Sequence, residues 1–324
     1  MEQLYDKLQL YTEKYLTYRK IKRAEKKEKQ KNANQLLDWI KSFLWAAMVV
    51  LLVNQYLFQA YQIPTGSMMN TLLVKDHLFV NKLIYGPELI PGMFKIPGFV
   101  KPERGDILIF ESPTYLSKGP VFDIAQRIIY MVTLSLVDID KDSYGEPKAH
   151  FLIKRAVGAA GDRIRFVNGN LEIRPAGAPD WMKESDFVQV GCNPAKVRRL
   201  VQQETYPLIR EAGYAGAFYD YGFPLSEKNK ELFRRLDNAE VDSLAFSEYR
   251  TEMHHALNPA DFSQRAAWRK SMYGWYIPEG WIFPLGENRD NSRDGRFFGP
   301  VSVKKVLGKA SFIYWPLGRA GKIE

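Results

Sequence analysis

Residues 151–174, FLIKRAVGAAGDRIRFVNGNLEIR, decide the fold. In Arg163–Arg174 apolar and polar residues alternate on both sides of Asn168-Gly169. That alternation is the strand period, and Asn-Gly is the dipeptide best suited to a type I′ turn, so these residues predict a β-hairpin. Phe151–Val157 before it is a further strand, and it sets Lys154 among apolar neighbours. Other short runs rich in β-branched or aromatic residues predict strands at Leu78–Val80, Asp106–Phe110 and Trp281–Leu285. The fold class read from this pattern is mainly β, with strands assembled non-locally.

Ahead of these strands lies an apolar run of a different kind. Ser42–Ala60, SFLWAAMVVLLVNQYLFQA, is 19 residues without a charge, close to the ~20 needed to cross a bilayer as a helix. Trp39, Lys41 and Trp45 flank one end and Tyr56 and Tyr61 the other, as interfacial anchors do. More than forty residues precede it, and Phe58 fills the first small position that a cleavage site ending at Ala60 would need, so it reads as a retained anchor rather than a cleaved leader. Residues 1–41 carry 11 Lys/Arg against 6 Asp/Glu, more than half of the chain's net charge of +9. Beside a span, that excess places the N-terminus in the cytoplasm and the rest outside, and it suits anionic lipid headgroups rather than nucleic acid. Within the tail Leu4, Leu8, Tyr11 and Tyr15 recur at helical spacing, on a helix that lies on the membrane surface or is simply solvated.

With 324 residues and 46% hydrophobic content the chain can bury a large core, and one cysteine, Cys192, excludes an intrachain disulfide. The resulting division is a basic tail (1–41), an anchor (42–60), a β core (61–167 and 281–324) and a smaller α+β insertion (168–280). The charged stretch Ala195–Ser271 lies in the insertion, with helical patterns at Val197–Arg210 and Ser226–Leu236. Tyr85–Val100, YGPELIPGMFKIPGFV, is an apolar loop suited to a bilayer or groove contact, or to a packed surface.

Three segments hold candidate chemistry. Ser67 in TGSMMNTL (Thr65–Leu72) is flanked by glycine and lies seven residues past the apolar run. Lys154, if buried, loses much of its affinity for a proton and becomes a base able to deprotonate a serine hydroxyl. GENRDNSRDGR (Gly286–Arg296) is a polar loop able to supply supporting groups, including an Asp294–Arg296 pair. His150 lies four residues before Lys154, while His77, His254 and His255 sit in no triad or metal spacing, although adjacent His254 and His255 would be the pair to consider for a metal.

Taken in order, TGSMMNTL at Thr65, RGDILIF at Arg104, KRAVGAAGD at Lys154 and GENRDNSRDGR at Gly286, followed by GPV and LGKA, resemble the boxes of the bacterial type I signal peptidases. The resemblance implies a membrane-bound serine endopeptidase with a signal-peptidase-like β catalytic domain, acting on the signal peptides of exported preproteins without metal or organic cofactor. It assigns Ser67 as nucleophile, Lys154 as general base, Thr65 to the oxyanion hole, Ser292 to orienting the lysine, and Asp294 and Arg296 to structural support. Asn70, Ala160, Glu287 and Gly295 depart from the family pattern and are expected to loosen turns near the groove. An inactive scaffold of the same fold and a Ser-Lys peptidase with a narrow substrate set remain alternatives; a soluble self-cleaving repressor is disfavoured by the span.

Overall fold

The computed structural model describes residues 2–31, 35–90, 94–133, 136–141, 145, 148, 150–186, 196–237 and 239–323; Cys192 lies outside them. Residues 1–51 and 52–324 form two compact units. The first holds helix α1 (Glu2–Lys31) and most of α2 (Gln35–Tyr56). Within α2, the 20 residues Leu37–Tyr56 are long and apolar enough to cross a membrane. The helix ends before the expected Ala60 because strand β1 (Phe58–Gln62) takes over its last residues. Their backbone groups pair with β2 (His77–Asn81), and Gln59, Ala60 and Tyr61 are buried there. Pairing with a neighbouring strand overrides an apolar run that composition alone continues.

The apolar loop after β2 folds partly into a hairpin of β3 (Glu88–Ile90) and β4 (Phe94–Lys95), with Phe99 exposed. Strand β5 (Ile107–Glu111) follows, then helix α3 (Pro120–Val132), which the strand-based reading did not anticipate, and β6 (Phe151–Gly158). Next come β7 (Arg163–Val167), β8 (Asn170–Arg174) and β9 (Met182–Lys183). The β7–β8 register and positive φ at Asn168 (49°) and Gly169 (70°) match the expected type I′ hairpin.

Helices α4 (Tyr206–Asp220), α5 (Glu227–Asp237) and α6 (Ser243–Leu257) share a core around Ile209, Ala212, Leu232 and Leu236, and α7 (Phe262–Tyr273) packs beside α6, where His255 stacks on Trp268. The helix expected from Val197 starts only at Tyr206, with Pro207 in its first turn. Upstream, the backbone is drawn into other bonds: Arg198 bridges Asn288, and the N–H groups of Leu200 and Val201 donate to the Asp290 carboxylate.

The chain then returns through β10 (Trp275–Tyr276), β11 (Trp281–Leu285), α8 (Gly295–Phe298), β12 (Val301–Ser302), β13 (Val306–Trp315) and β14 (Gly321–Lys322). The main antiparallel sheet has the order β1-β2-β13-β5-β6-β11-β12, with β14 also on β13; the smaller runs β10-β7-β8-β9. In β5, Ile107 and Ile109 enter one apolar cluster and Leu108 and Phe110 another, so both faces of the strand are covered. That explains an uninterrupted apolar run where a half-exposed strand would alternate.

Candidate active site

Ser67 sits on a single 3-10 turn, Gly66–Met68, just beyond β1. Buried Met68 and Leu72 anchor the turn in the core next to Leu78 and Ile109. The Gly286–Arg296 loop closes over it: the Asn288 N–H donates to the Ser67 carbonyl (3.0 Å) and the Asn288 amide to that of Gly66 (3.2 Å). A Cβ at Gly286 would meet Ser292 Oγ at 2.1 Å and the Ser67 carbonyl oxygen at 2.8 Å, so glycine is what permits this approach.

Lys154 extends from β6, 3% exposed. Its Nζ lies 2.7 Å from Ser67 Oγ and 2.9 Å from the Ile153 carbonyl oxygen. Burial lowers its pKa to about 8, the Asp294 carboxylate pulling it upward and the Arg296 guanidinium downward. Around neutral pH the folded chain therefore carries a charged amine in a site that favours the neutral form. The same amine has a pKa of 10.5 when free in water. The resulting destabilisation is complete below about pH 8 and fades as pH rises toward the free value, because there the unfolded chain binds the extra proton. Lys154→Met should accordingly raise stability at pH 7 by up to ~3 kcal/mol, less whatever the two hydrogen bonds contribute, with the gain disappearing near pH 10.5. Urea unfolding of both proteins across that range measures it; a loss of stability at pH 7 would contradict the assigned burial cost.

Asp294 and Arg296 form a buried ion pair (2.9 Å). Asp294 also accepts from the N–H of Gly286 (2.9 Å) and caps α8, while Arg296 donates to the carbonyl oxygens of Arg289 and Ser292. Ser292 is buried in this loop, but its Oγ has no hydrogen-bond partner among the described residues, so the expected contact with the lysine is not made. Thr65 is exposed, two residues before Ser67, and its side chain caps nothing. A cavity of about 250 Å³ borders Thr65, Ser67 and Lys154 and continues past Tyr61, Gln126 and Tyr130. His254 pairs with Asp220 (2.7 Å) and His255 stacks on Trp268.

Two of the motif departures act opposite to the expectation of looser turns. Glu287 is buried and accepts from the Thr71 N–H (3.0 Å), the Thr71 hydroxyl (2.7 Å) and both Nε (3.1 Å) and Nη2 (2.5 Å) of Arg155. It thus ties together the serine turn, the lysine strand and the closing loop. A Cβ at Gly295 would stand 2.8 Å from the Pro284 carbonyl oxygen and 3.0 Å from the Phe283 ring, so this glycine lets α8 pack tightly. Asn70 donates to the Lys196 carbonyl, and Ala160 is exposed in a turn. A buried Asp162 carboxylate, held by Arg104 (2.5 Å), likewise joins the second and third motifs. Glu287, Arg155, Arg104 and Asp162 went unassigned in the sequence, although each falls inside a quoted motif.

A serine hydroxyl thus stands against a desolvated amine at the edge of a cavity, a nucleophile-type group beside a base-type group. The family model described as "Signal peptidase, peptidase S26" matches residues 36–315. The chain belongs to this peptidase family. It is 30% identical over 303 residues to the Signal peptidase I of Haemophilus influenzae, covering 91% of this chain and 76% of that protein. The Signal peptidase I of Buchnera aphidicola subsp. Acyrthosiphon pisum is 27% identical over 310 residues (91% and 82% covered), and that of Aquifex aeolicus 26% over 275 residues (83% and 80%).

Proposed function

We propose that this protein removes N-terminal signal peptides from exported preproteins through an acyl-enzyme on Ser67, with Lys154 as general base. The 2.7 Å contact between Lys154 Nζ and Ser67 Oγ carries the reading. Neutral Lys154 takes the hydroxyl proton as Oγ attacks the scissile carbonyl, then returns it to the departing amine. The same amine activates water to hydrolyse the ester, restoring Ser67. The Ser67 N–H and the Thr65 hydroxyl serve as oxyanion donors. Since the exposed Thr65 hydroxyl is free of any capping bond, it is available for that purpose. Thr65→Val should lower kcat on the order of 10²-fold with little change in KM; a variant turning over at the wild-type rate removes Thr65 from the oxyanion hole.

The basic tail and the apolar helix support a single-pass anchor in the bacterial cytoplasmic membrane, its N-terminus cytoplasmic near anionic headgroups and its catalytic unit on the outer side. Tethering enzyme and signal peptide to one bilayer raises their effective concentration. Ser67 follows the last residue of α2 by 11 residues, a reach of at most ~40 Å, so the nucleophile is confined near the surface. The test is incubation of the full chain, in detergent or liposomes, with a preprotein bearing an Ala-x-Ala site, followed by N-terminal sequencing of the product. Cleavage after the second Ala is expected; several intact preproteins would sink the assignment.

A further inference from the structure

Helix α3 contributes Gln126 and Tyr130 to the cavity that borders Ser67, and it is firmly seated. Arg127 pairs with Glu88 (3.0 Å) and Glu111 (2.5 Å), and Tyr130 packs on Tyr61 with ring centroids 6.0 Å apart. From this helix Gln126 reaches the cavity lining, 1% exposed. Its Nε2 donates to Asp138 Oδ1 at 2.8 Å. Because a carboxylate can only accept there, the amide cannot be turned round, and Oε1 is fixed as the other end. That Oε1 is buried with no hydrogen-bond partner among the described residues. The Tyr61 hydroxyl, which lines the same cavity, is buried and unpartnered as well.

Buried polar atoms are almost always paired, so an orphan acceptor and an orphan donor on one substrate-sized cavity call for a partner that arrives with the substrate. A hydroxyl can both donate and accept, and so can meet either group. In an acyl-enzyme reaction the amine product leaves after the first step, so a site that holds substrate through both steps must hold the acyl side. We infer that Gln126 is a specificity-determining residue of the cleft, its unpaired Oε1 favouring a hydroxyl-bearing side chain, Ser or Thr, among the three substrate residues before the cleaved bond. This rests on the peptidase reading above.

The test is a competition in one tube between preproteins carrying Ala or Ser at each of those three positions, cut by wild type, Gln126→Met and Asp138→Ala. Competition reads a ratio of kcat/KM values, which does not depend on how much of a variant is folded. At one of the three positions the Ser-to-Ala ratio should fall about tenfold in Gln126→Met, the scale of one lost hydrogen bond in a buried site. Asp138→Ala keeps Gln126 but removes the acceptor that fixes its amide, so the ratio should fall there too, and it decides the matter should Gln126→Met be inert. Ratios unchanged at all three positions overturn the inference, leaving Gln126 as a support for the loop at Asp138 or a ligand of bound water. If wild type cuts no preprotein at all, the peptidase reading itself fails, an outcome distinct from unchanged ratios.

Discussion

Ser67→Ala is expected to lower kcat/KM for a preprotein by roughly 10⁴- to 10⁶-fold, and Lys154→Met by a similar factor, since nucleophile and base act as one unit. For the same reason the double variant should be no worse than either alone. Lys154→Arg should be as inactive as Lys154→Met, because a guanidinium stays protonated and cannot accept the hydroxyl proton. In wild type kcat/KM should rise about tenfold per pH unit up to about pH 8 and then level, tracking the lowered lysine pKa. Ser67→Ala and Lys154→Met each remove a single heavy atom from an otherwise packed site, so unchanged circular dichroism is expected alongside the lost rate. Activity within tenfold of wild type in Ser67→Ala, or a rate flat from pH 6 to 9, would discard the assigned pair.

The second large effect concerns stability. Glu287→Ala strands the buried Arg155 guanidinium, which among the described residues retains only the Gly105 carbonyl and the Thr71 hydroxyl as partners. Removing one member of a buried ion pair costs about 3–5 kcal/mol, enough to consume much of the stability of a typical domain. Replacing both members, as Glu287→Leu with Arg155→Met, should restore most of the loss, because no charge is left unpaired. Denaturant midpoints for the two single variants and the double variant provide the cycle. If the double variant is as unstable as the sum of the singles, the pair is not the source of the effect.

The two cases differ in what a sequence can disclose. Ser67 and Lys154 announce themselves locally: one follows a glycine at a turn, and the other interrupts an apolar strand. Their partnership across 87 positions does not, and came from the order of the motifs. Glu287 looked like a loosened turn because its partners Arg155 and Thr71 lie 132 and 216 positions away. Gln126 was missed for a related reason. The helix that carries it lies between strand motifs, and its burial depends on a clamp to Glu88 and Glu111 that no local pattern reveals. The hairpin at Asn168-Gly169 was fully legible because all of its determinants lie within a dozen residues. The end of the apolar helix was misplaced at Ala60 because β1 forms only where β2 is available to receive it.

Strand β13 lies between β2 and β5 at the middle of the main sheet, pairing Ala310 with Val80 and Lys309 with Leu108. Its partner β2 is made about 230 residues earlier in synthesis, and contacts so distant in sequence are formed late and slowly. Until Val306–Trp315 has emerged, β2 and β5 have no common neighbour, and the turn bearing Ser67 has no finished sheet beneath it. Growing chains should therefore be harmless to one another and to themselves until Val306–Trp315 has paired with β2 and β5.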